Sequence, residues 1–248
     1  GAVTTKRSRT RVRPSSSIVT VSGPAPCVGV KLVIRGATLN VAVVVAVVIV
    51  DSPPADDPAR SWSDTLGLLT RRDGGRLATV AFAQAKSMTE TVGALSALLD
   101  MGQGAAEVAA FATRWGDDRN VMDKWYALQI AHAEPAEAAA LTARLTERED
   151  FDWKNPNRFR SVIGALAGNH AGFHHRSGAG YRVVADWLLR LDPLNPQTAA
   201  RVSTAFETWH RYDAGRKRHA QSELGRMVAT PALSPDLREM VERMLAAG

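Results

Sequence analysis

From about Arg60 onward, apolar residues recur at intervals of three and four, and this spacing constrains the fold more than any other feature of the chain. Val92, Leu95, Leu98 and Leu99 fall at i, i+3, i+6 and i+7, and Val108, Phe111 and Trp115 at i, i+3 and i+7. The pattern returns in Val121, Trp125, Leu128 and in Phe159, Val162, Ile163, Leu166. It continues through Val184, Trp187, Leu188, Leu191, through Val202, Phe206, Trp209, and through Leu237, Met240, Val241, Met244, Leu245. Each set draws one apolar stripe along a helix. No strand signal interrupts them. Roughly nine or ten helices with short connections predict an all-α fold, a superhelix of stacked antiparallel helix pairs whose stripes are buried only against neighbouring pairs.

Boundary signals agree with the stripes. Thr89 is expected to cap the helix after it, Pro135 to hold a first helical position with Glu137 in the first turn, and Ser234-Pro235-Asp236 to supply an N-cap, N1 and N2. Gly168, Gly178 and Gly180 mark one long loop. Trp115, Trp125, Trp153, Trp187 and Trp209 sit mostly on the stripes and are read as core.

Residues 1–58 are unlike the rest. Seven basic and no acidic residues lie between Gly1 and Val50, whereas the remainder carries 24 basic against 25 acidic residues, so the net +6 belongs to the tail. Any affinity for nucleic acid is therefore expected to be non-specific and confined to the tail. Val41–Val50 is β-prone in composition but does not alternate, and Asp51–Pro58, rich in proline and aspartate, reads as a linker. We expect a poorly ordered basic tail, not a folded domain, over 1–58, and a helical domain over 59–248. A basic arm for nucleic acid or anionic lipid, or a reading frame shifted within a GC-rich gene, would account for the same composition. A first residue of Gly instead of Met suggests a processed product or a fragment.

Several chemistries are absent from the sequence. Cys27 is the only cysteine, so neither an intrachain disulfide nor a cysteine-based zinc cluster can form. The longest apolar run, Val41–Val50, is about half of the ~20 residues that cross a bilayer, and no membrane segment is expected. The six histidines contain no His-Glu-x-x-His pair. His170 and His174 are spaced i, i+4, but they flank Gly172 in apparent loop without an acidic residue between them, and an ordinary loop role is expected. Gly-x-Ser-x-Gly, a Walker loop and a dinucleotide fingerprint are missing; Gly178-Ala179-Gly180 is too short to cradle a phosphate.

Five stretches in order carry a family resemblance. They are Ala85-Lys-Ser-Met-Thr-Glu-Thr-Val-Gly-Ala-Leu, Asp123-Lys-Trp-Tyr-Ala-Leu-Gln, Phe151-Asp-Trp-Lys-Asn-Pro-Asn-Arg-Phe-Arg-Ser-Val-Ile-Gly-Ala, Asn195-Pro-Gln-Thr-Ala-Ala-Arg and Arg211-Tyr-Asp-Ala-Gly-Arg. They run from Ala85 to Arg216, and with them the chain from Ala59 to Gly248 resembles the C-terminal helical domain of the bacterial-type aminopeptidase N, a zinc aminopeptidase. The resemblance implies a superhelix that closes over a separate catalytic domain and bounds the cavity through which peptide amino ends reach the zinc. The family's zinc ligands and its Gly-x-Met-Glu-Asn motif lie in that catalytic domain and are not in this chain. It follows that the chain alone is expected to be inactive and to hold no metal or cofactor. Its peptide substrate would be met only through the missing domain, in a cytoplasmic parent.

The resemblance also implies site residues. Arg160, the second arginine of Asn-Pro-Asn-Arg-x-Arg, and Arg201, which ends Asn-Pro-Gln-x-Ala-x-Arg, would face the cavity near bound peptide, where a guanidinium can grip a carbonyl or carboxylate. The alternative for both is pairing with helix C-termini or carboxylates of the superhelix. Asn155 and Asn157 are expected to cap the helix starting near Pro156. Two departures stand out: the tail replaces the first helices, leaving an apolar face near Trp62, Leu66 and Leu69, and Ser177 stands where the family has an acidic residue. A free-standing helical scaffold for protein partners is the other reading of the same pattern.

Overall fold

The computed structural model describes residues 66, 67 and 69–247 in full, and residues 30–34 and 37–41 as backbone. The first helical segment, residues 69–73, turns through Gly74 and Gly75 into α1 (Arg76–Gln84). Then follow α2 (Met88–Leu99), α3 (Ala105–Trp115), α4 (Arg119–Ala131) and α5 (Ala138–Thr146). The next helix starts as α6 (Pro156–Phe159), widens into a π-helical turn at Arg160–Gly164 and resumes as α7 (Ala165–Gly168). A single short turn, α8 (His170–Phe173), leads to α9 (Ala179–Leu191). The chain ends in α10 (Pro196–Ser203), a 3₁₀ stretch Thr204–Arg211, α11 (Ala214–Val228) and α12 (Pro235–Ala246).

The all-α expectation holds for the described residues from 66 onward. Neighbours in sequence are neighbours in space: α1 packs on α2, α3 on α4, α4 on the π turn and α7, and α9 to α12 on one another. The stripes meet in one continuous core whose largest fully buried members include Phe111, Tyr126, Phe159, Phe173, Tyr181 and Phe206. A smaller cluster, Leu66, Ala78, Ala81, Ala94, Ala97 and Leu98, joins α1 to α2. Its alanines let the two helices approach closely. Trp125 and Trp209 lie in the main core, and their indoles donate to Val108 O at 2.9 Å and Met244 O at 3.0 Å, tying α4 to α3 and the 3₁₀ stretch to α12.

Within the stretch read as tail, Val30–Ile34 (β1) and Ala37–Val41 (β2) pair antiparallel, Val30 opposite Val41 and Ile34 opposite Ala37. The β-prone composition noted for the valines thus begins before Val41, on either side of Arg35-Gly36. Trp62, the linker and the basic run lie outside the described residues.

Capping follows the sequence with small displacements. Ser87, not Thr89, caps α2: its Oγ accepts from Glu90 N while the Glu90 carboxylate accepts from Ser87 N, a reciprocal capping box. Pro135 lies in a turn, and α5 begins three residues later, at Ala138. Ser234, Pro235 and Asp236 stand as expected. Ser234 also donates to buried Asp192, through its N at 2.7 Å and its Oγ at 2.5 Å, which fastens the start of α12 to the end of α9.

Candidate functional site

The Asn-Pro-Asn-Arg-Phe-Arg stretch is held by a cap at one end and a buried cation at the other. Asn155 Oδ1 accepts from Asn157 N at 2.9 Å and Arg158 N at 3.3 Å, and Pro156 takes the first helical position. Asn157 does not cap; its Oδ1 accepts from Arg160. Arg158, 3% exposed, bonds Asp123 Oδ1 through Nε at 2.5 Å, Asp150 O at 2.7 Å and Arg119 O at 3.1 Å. Its guanidinium also lies over the Tyr126 ring, 4.7 Å from the centroid. Three donors satisfied in one plane suit a guanidinium and not an ammonium.

Beside this anchor, Tyr126 donates to Asp150 Oδ1 at 2.6 Å, and Arg148 Nε donates to the same oxygen at 2.8 Å and to the Tyr126 hydroxyl at 3.1 Å. Burial, helped by the Asp150 carboxylate, pushes the Tyr126 phenol up to about 12. At Asp150 burial works upward, but the hydrogen bonds from Arg148 and Tyr126 outweigh it and hold the carboxyl below its ordinary value. The cluster is a charged brace between α4 and the loop before α6.

Arg160 opens the π turn and is exposed. Its Nε donates to Pro156 O at 3.1 Å and a terminal nitrogen to Asn157 Oδ1 at 2.6 Å, so the head folds back along its own helix. Arg201, also exposed, stands in the last turn of α10, not early on a long helix as its stripe suggested, because the chain tightens to 3₁₀ at Thr204. Its guanidinium has no hydrogen-bond or ion-pair partner among the described residues. Neither arginine pairs with a carboxylate among the described residues. Both keep donors free for a ligand. A π turn is a rare local widening that often accompanies function.

The stretch read as one long loop contains α8. Asn169 Oδ1 accepts from Gly172 N at 3.0 Å, and its amide reaches back to Ile130 O at 2.9 Å and Ala133 O at 3.1 Å. Gly178 has φ 70°, and a Cβ there would stand 2.6 Å from the His219 ring; at Gly180 one would meet Phe173 O at 2.6 Å. These glycines serve packing. Ser177, in place of the acidic residue, bonds His175 Nδ1 at 3.0 Å and accepts from Ala179 N at 3.3 Å.

His170 and His174 have near-parallel rings with centroids 6.4 Å apart. Among the described residues, no three His, Cys, Asp or Glu side chains converge as a metal site would require. No helix among them is long and apolar enough to cross a membrane.

Sequence reasoning missed Arg158, although the resemblance ran through it and through Asp123. A signal was present: Arg158 lies inside the stripe, one residue before Phe159, where an arginine must be paired if it is buried.

Comparison with known proteins places these features in a family. Residues 63–246 match the family described as "Domain of unknown function (DUF3458_C) ARM repeats". The chain is 36% identical over 167 residues to the aminopeptidase N of Caulobacter vibrioides, covering 66% of this chain and 19% of that protein. It is likewise 36% identical to aminopeptidase N of Haemophilus influenzae over 175 residues, covering 69% of this chain and 20% of the relative, and of Escherichia coli over 174 residues, covering 68% and 20%. Among solved structures it is similar to Legionella pneumophila aminopeptidase A in complex with aspartic acid, with a TM-score of 0.71 and 28% identity over 77% of this chain and 23% of that one. The chain thus spans about a fifth of the length of the relatives it matches. An ARM-type run of helices, Arg158 locked beneath it and the match across 63–246 agree: the chain belongs to the DUF3458_C family of helical-repeat domains, the part it shares with aminopeptidase N.

Proposed function

We propose that the chain is the C-terminal helical domain of a cytoplasmic zinc aminopeptidase, walling the cavity in which the parent's catalytic domain removes amino-terminal residues from peptides. The observation that carries this reading is the 36% identity to aminopeptidase N proteins of three bacteria, over a segment that is only about a fifth of each. In the parent, zinc belongs to the catalytic part and supplies an activated water. The residues described in this chain offer it no ligand set, and their part is to bind and orient peptide.

Arg160 and Arg201 carry that part. Each presents unpaired guanidinium donors at an exposed position, and a peptide carbonyl or C-terminal carboxylate accepts from such a fork with little reorganisation. A free-standing scaffold gains nothing from the four relatives named above, each an aminopeptidase by name.

The test is a graft. The purified chain, with or without added zinc, should hydrolyse alanyl- and lysyl-arylamides only at background. Exchanged for the matching segment of Caulobacter vibrioides aminopeptidase N, it should give a hybrid that hydrolyses them within about tenfold of the unexchanged protein. Zinc-dependent turnover by the chain alone, or a well-folded hybrid without peptidase activity, would defeat the proposal.

A further inference from the structure

The Asn157 side chain is spent on Arg160 alone. Asn155 already supplies the cap of α6, and Asn157, one residue past Pro156, is exposed on the first turn with its Oδ1 2.6 Å from Arg160 Nη2. Its amide can face only one way. A guanidinium donates and never accepts, so the atom turned toward Arg160 is the oxygen, and Nδ2 points away without a partner among the described residues.

Of the two bonds that hold the Arg160 head, the one to Asn157 is the firmer. Nε donates to Pro156 O at 3.1 Å, but that carbonyl also accepts from the Arg160 backbone N–H, whereas Asn157 Oδ1 serves no other donor among the described residues. The π turn clears the other side of the stem. Residues four apart on an α-helix keep their β-carbons about 5 to 6 Å apart. A Cβ built at Gly164 would stand only 3.5 Å from Arg160 Cβ and 3.8 Å from its Cγ. The widened turn thus brings position 164 close against the arginine stem, where a β-carbon fits and a larger side chain would crowd it. With glycine there, nothing from that side steers the head, and its direction is left to Pro156 O and Asn157.

The bonds leave part of the fork open. Nη1 bonds nothing among the described residues, and Nη2 keeps one of its two hydrogens. Arg201 is the contrast, since its whole guanidinium is without a partner among them. A ligand that engages a loose arginine must freeze its rotamers, and one that meets an arginine already held is spared most of that cost.

We propose that Asn157 is a positioning residue for peptide binding: on the reading above that Arg160 meets the substrate, Asn157 holds the guanidinium so that Nη1 and the spare Nη2 hydrogen are set before the peptide arrives. It touches no reacting atom. Its effect therefore falls on peptide affinity and not on the bond-breaking step, and arylamides, which lack a downstream chain to reach Arg160, are indifferent to it.

The test has one arm on the full chain and one on the hybrid enzyme. In the full chain, ¹⁵N relaxation should show Arg160 Nε–H more ordered than Arg201 Nε–H. Asn157→Ala should bring Arg160 down to the Arg201 level without changing circular dichroism or melting temperature, and Asn157→Asp, which keeps the acceptor, should leave Arg160 ordered. In the hybrid, Asn157→Ala should raise KM for tri- and tetrapeptides about three- to tenfold, keep kcat within about twofold and leave arylamide kinetics unchanged. The rise should be absent when Arg160 is already Ala. If Arg160→Ala itself left peptide KM unchanged, the reading of Arg160 as a peptide contact would fail, and the role of Asn157 with it. If Arg160→Ala raised KM while Asn157→Ala did not, or did so equally in the Arg160→Ala background, only the role of Asn157 would fall. An Arg160 as loose as Arg201 in the parent chain would overturn it too, as would an Asn157→Ala variant that melts earlier and loses arylamide turnover in step with peptide turnover.

Discussion

Arg158 Nε stands 2.5 Å from Asp123 Oδ1, and through this contact the most family-specific stretch of the chain is fixed to the middle of α4. The Arg158 side chain is 4% exposed and that of Asp123 18%, so the pair is held away from water, and the two terminal nitrogens of the guanidinium donate to Asp150 O and Arg119 O. Removing either partner leaves the other charge buried. Asp123→Ala and Arg158→Ala should each cost about 3 to 5 kcal/mol of unfolding free energy, and Arg158→Lys should recover less than half of it, because one ammonium cannot serve three acceptors lying in a plane. Thermal and urea unfolding of the three variants check this. A loss below about 1 kcal/mol in both alanine variants would show that the contact is dispensable.

His174 makes stability depend on pH. Its ordinary value near 6.5 falls to about 4 on folding, chiefly by burial, so below pH 6.5 the unfolded chain binds a proton that the folded chain refuses. The neutral ring's contribution is complete above about pH 6.5, declines as pH falls toward 4, and changes no further below that. The full effect is roughly 3 kcal/mol, one pKa unit being worth about 1.4. Urea midpoints of the parent chain should drop over this window, and those of His174→Gln should stay flatter. Parallel pH profiles would locate the slope elsewhere.

Arg160 and Arg201 should behave in the opposite way to Arg158. Arg160 bonds only its own first turn and Arg201 bonds nothing described, so replacing either by Ala should change stability by no more than about 0.5 kcal/mol. In the hybrid enzyme the same replacements should lower kcat/KM for tri- and tetrapeptides by about 1 to 3 kcal/mol and for arylamides by less. Equal losses on both substrates, joined to a lower melting temperature, would assign the two arginines to structure.

The charge of the tail gives a fourth expectation. Residues 1–50 hold seven basic and no acidic residues, so retention on heparin or DNA should vanish when residues 1–50 are removed, and should weaken steeply with salt while they are present. Retention of the shortened chain with an unchanged salt slope would place the basic surface on the helices.

The helices were legible because burial of a stripe repeats along the chain: Phe111, Tyr126, Phe159, Ile163, Leu188 and Val241, all fully buried, lie on or beside the spacings that announce them. Local chemistry was legible where one residue type does one job, as at Ser234 and Asn155. It failed where neighbours compete. Ser87 and Thr89 can both cap, and the choice falls to Glu90, three residues after the serine, which completes a reciprocal pair that Thr89 has no partner to form. Four residues are too few to show a period, so α8 was hidden between Asn169 and Gly178. The surroundings of His174 depend on Tyr181, Tyr212 and Arg216, brought to one point by α9, the end of the 3₁₀ stretch and α11; nothing local to the histidine announces them.

The widened turn at Arg160–Gly164 gives the chain an adjustable length at one place. A π turn holds one residue more than the α turn it replaces, so losing a residue there would restore the ordinary ladder and leave the two flanking pieces in phase. Asn169 would still face Ile130 O and Ala133 O. The same deletion within α9 would swing every later side chain by about 100° and turn Leu188 and Leu191 out of the core. Insertions and deletions among relatives can therefore change which side chain occupies the position of Arg160 while the packed ends of its helix stay where they are.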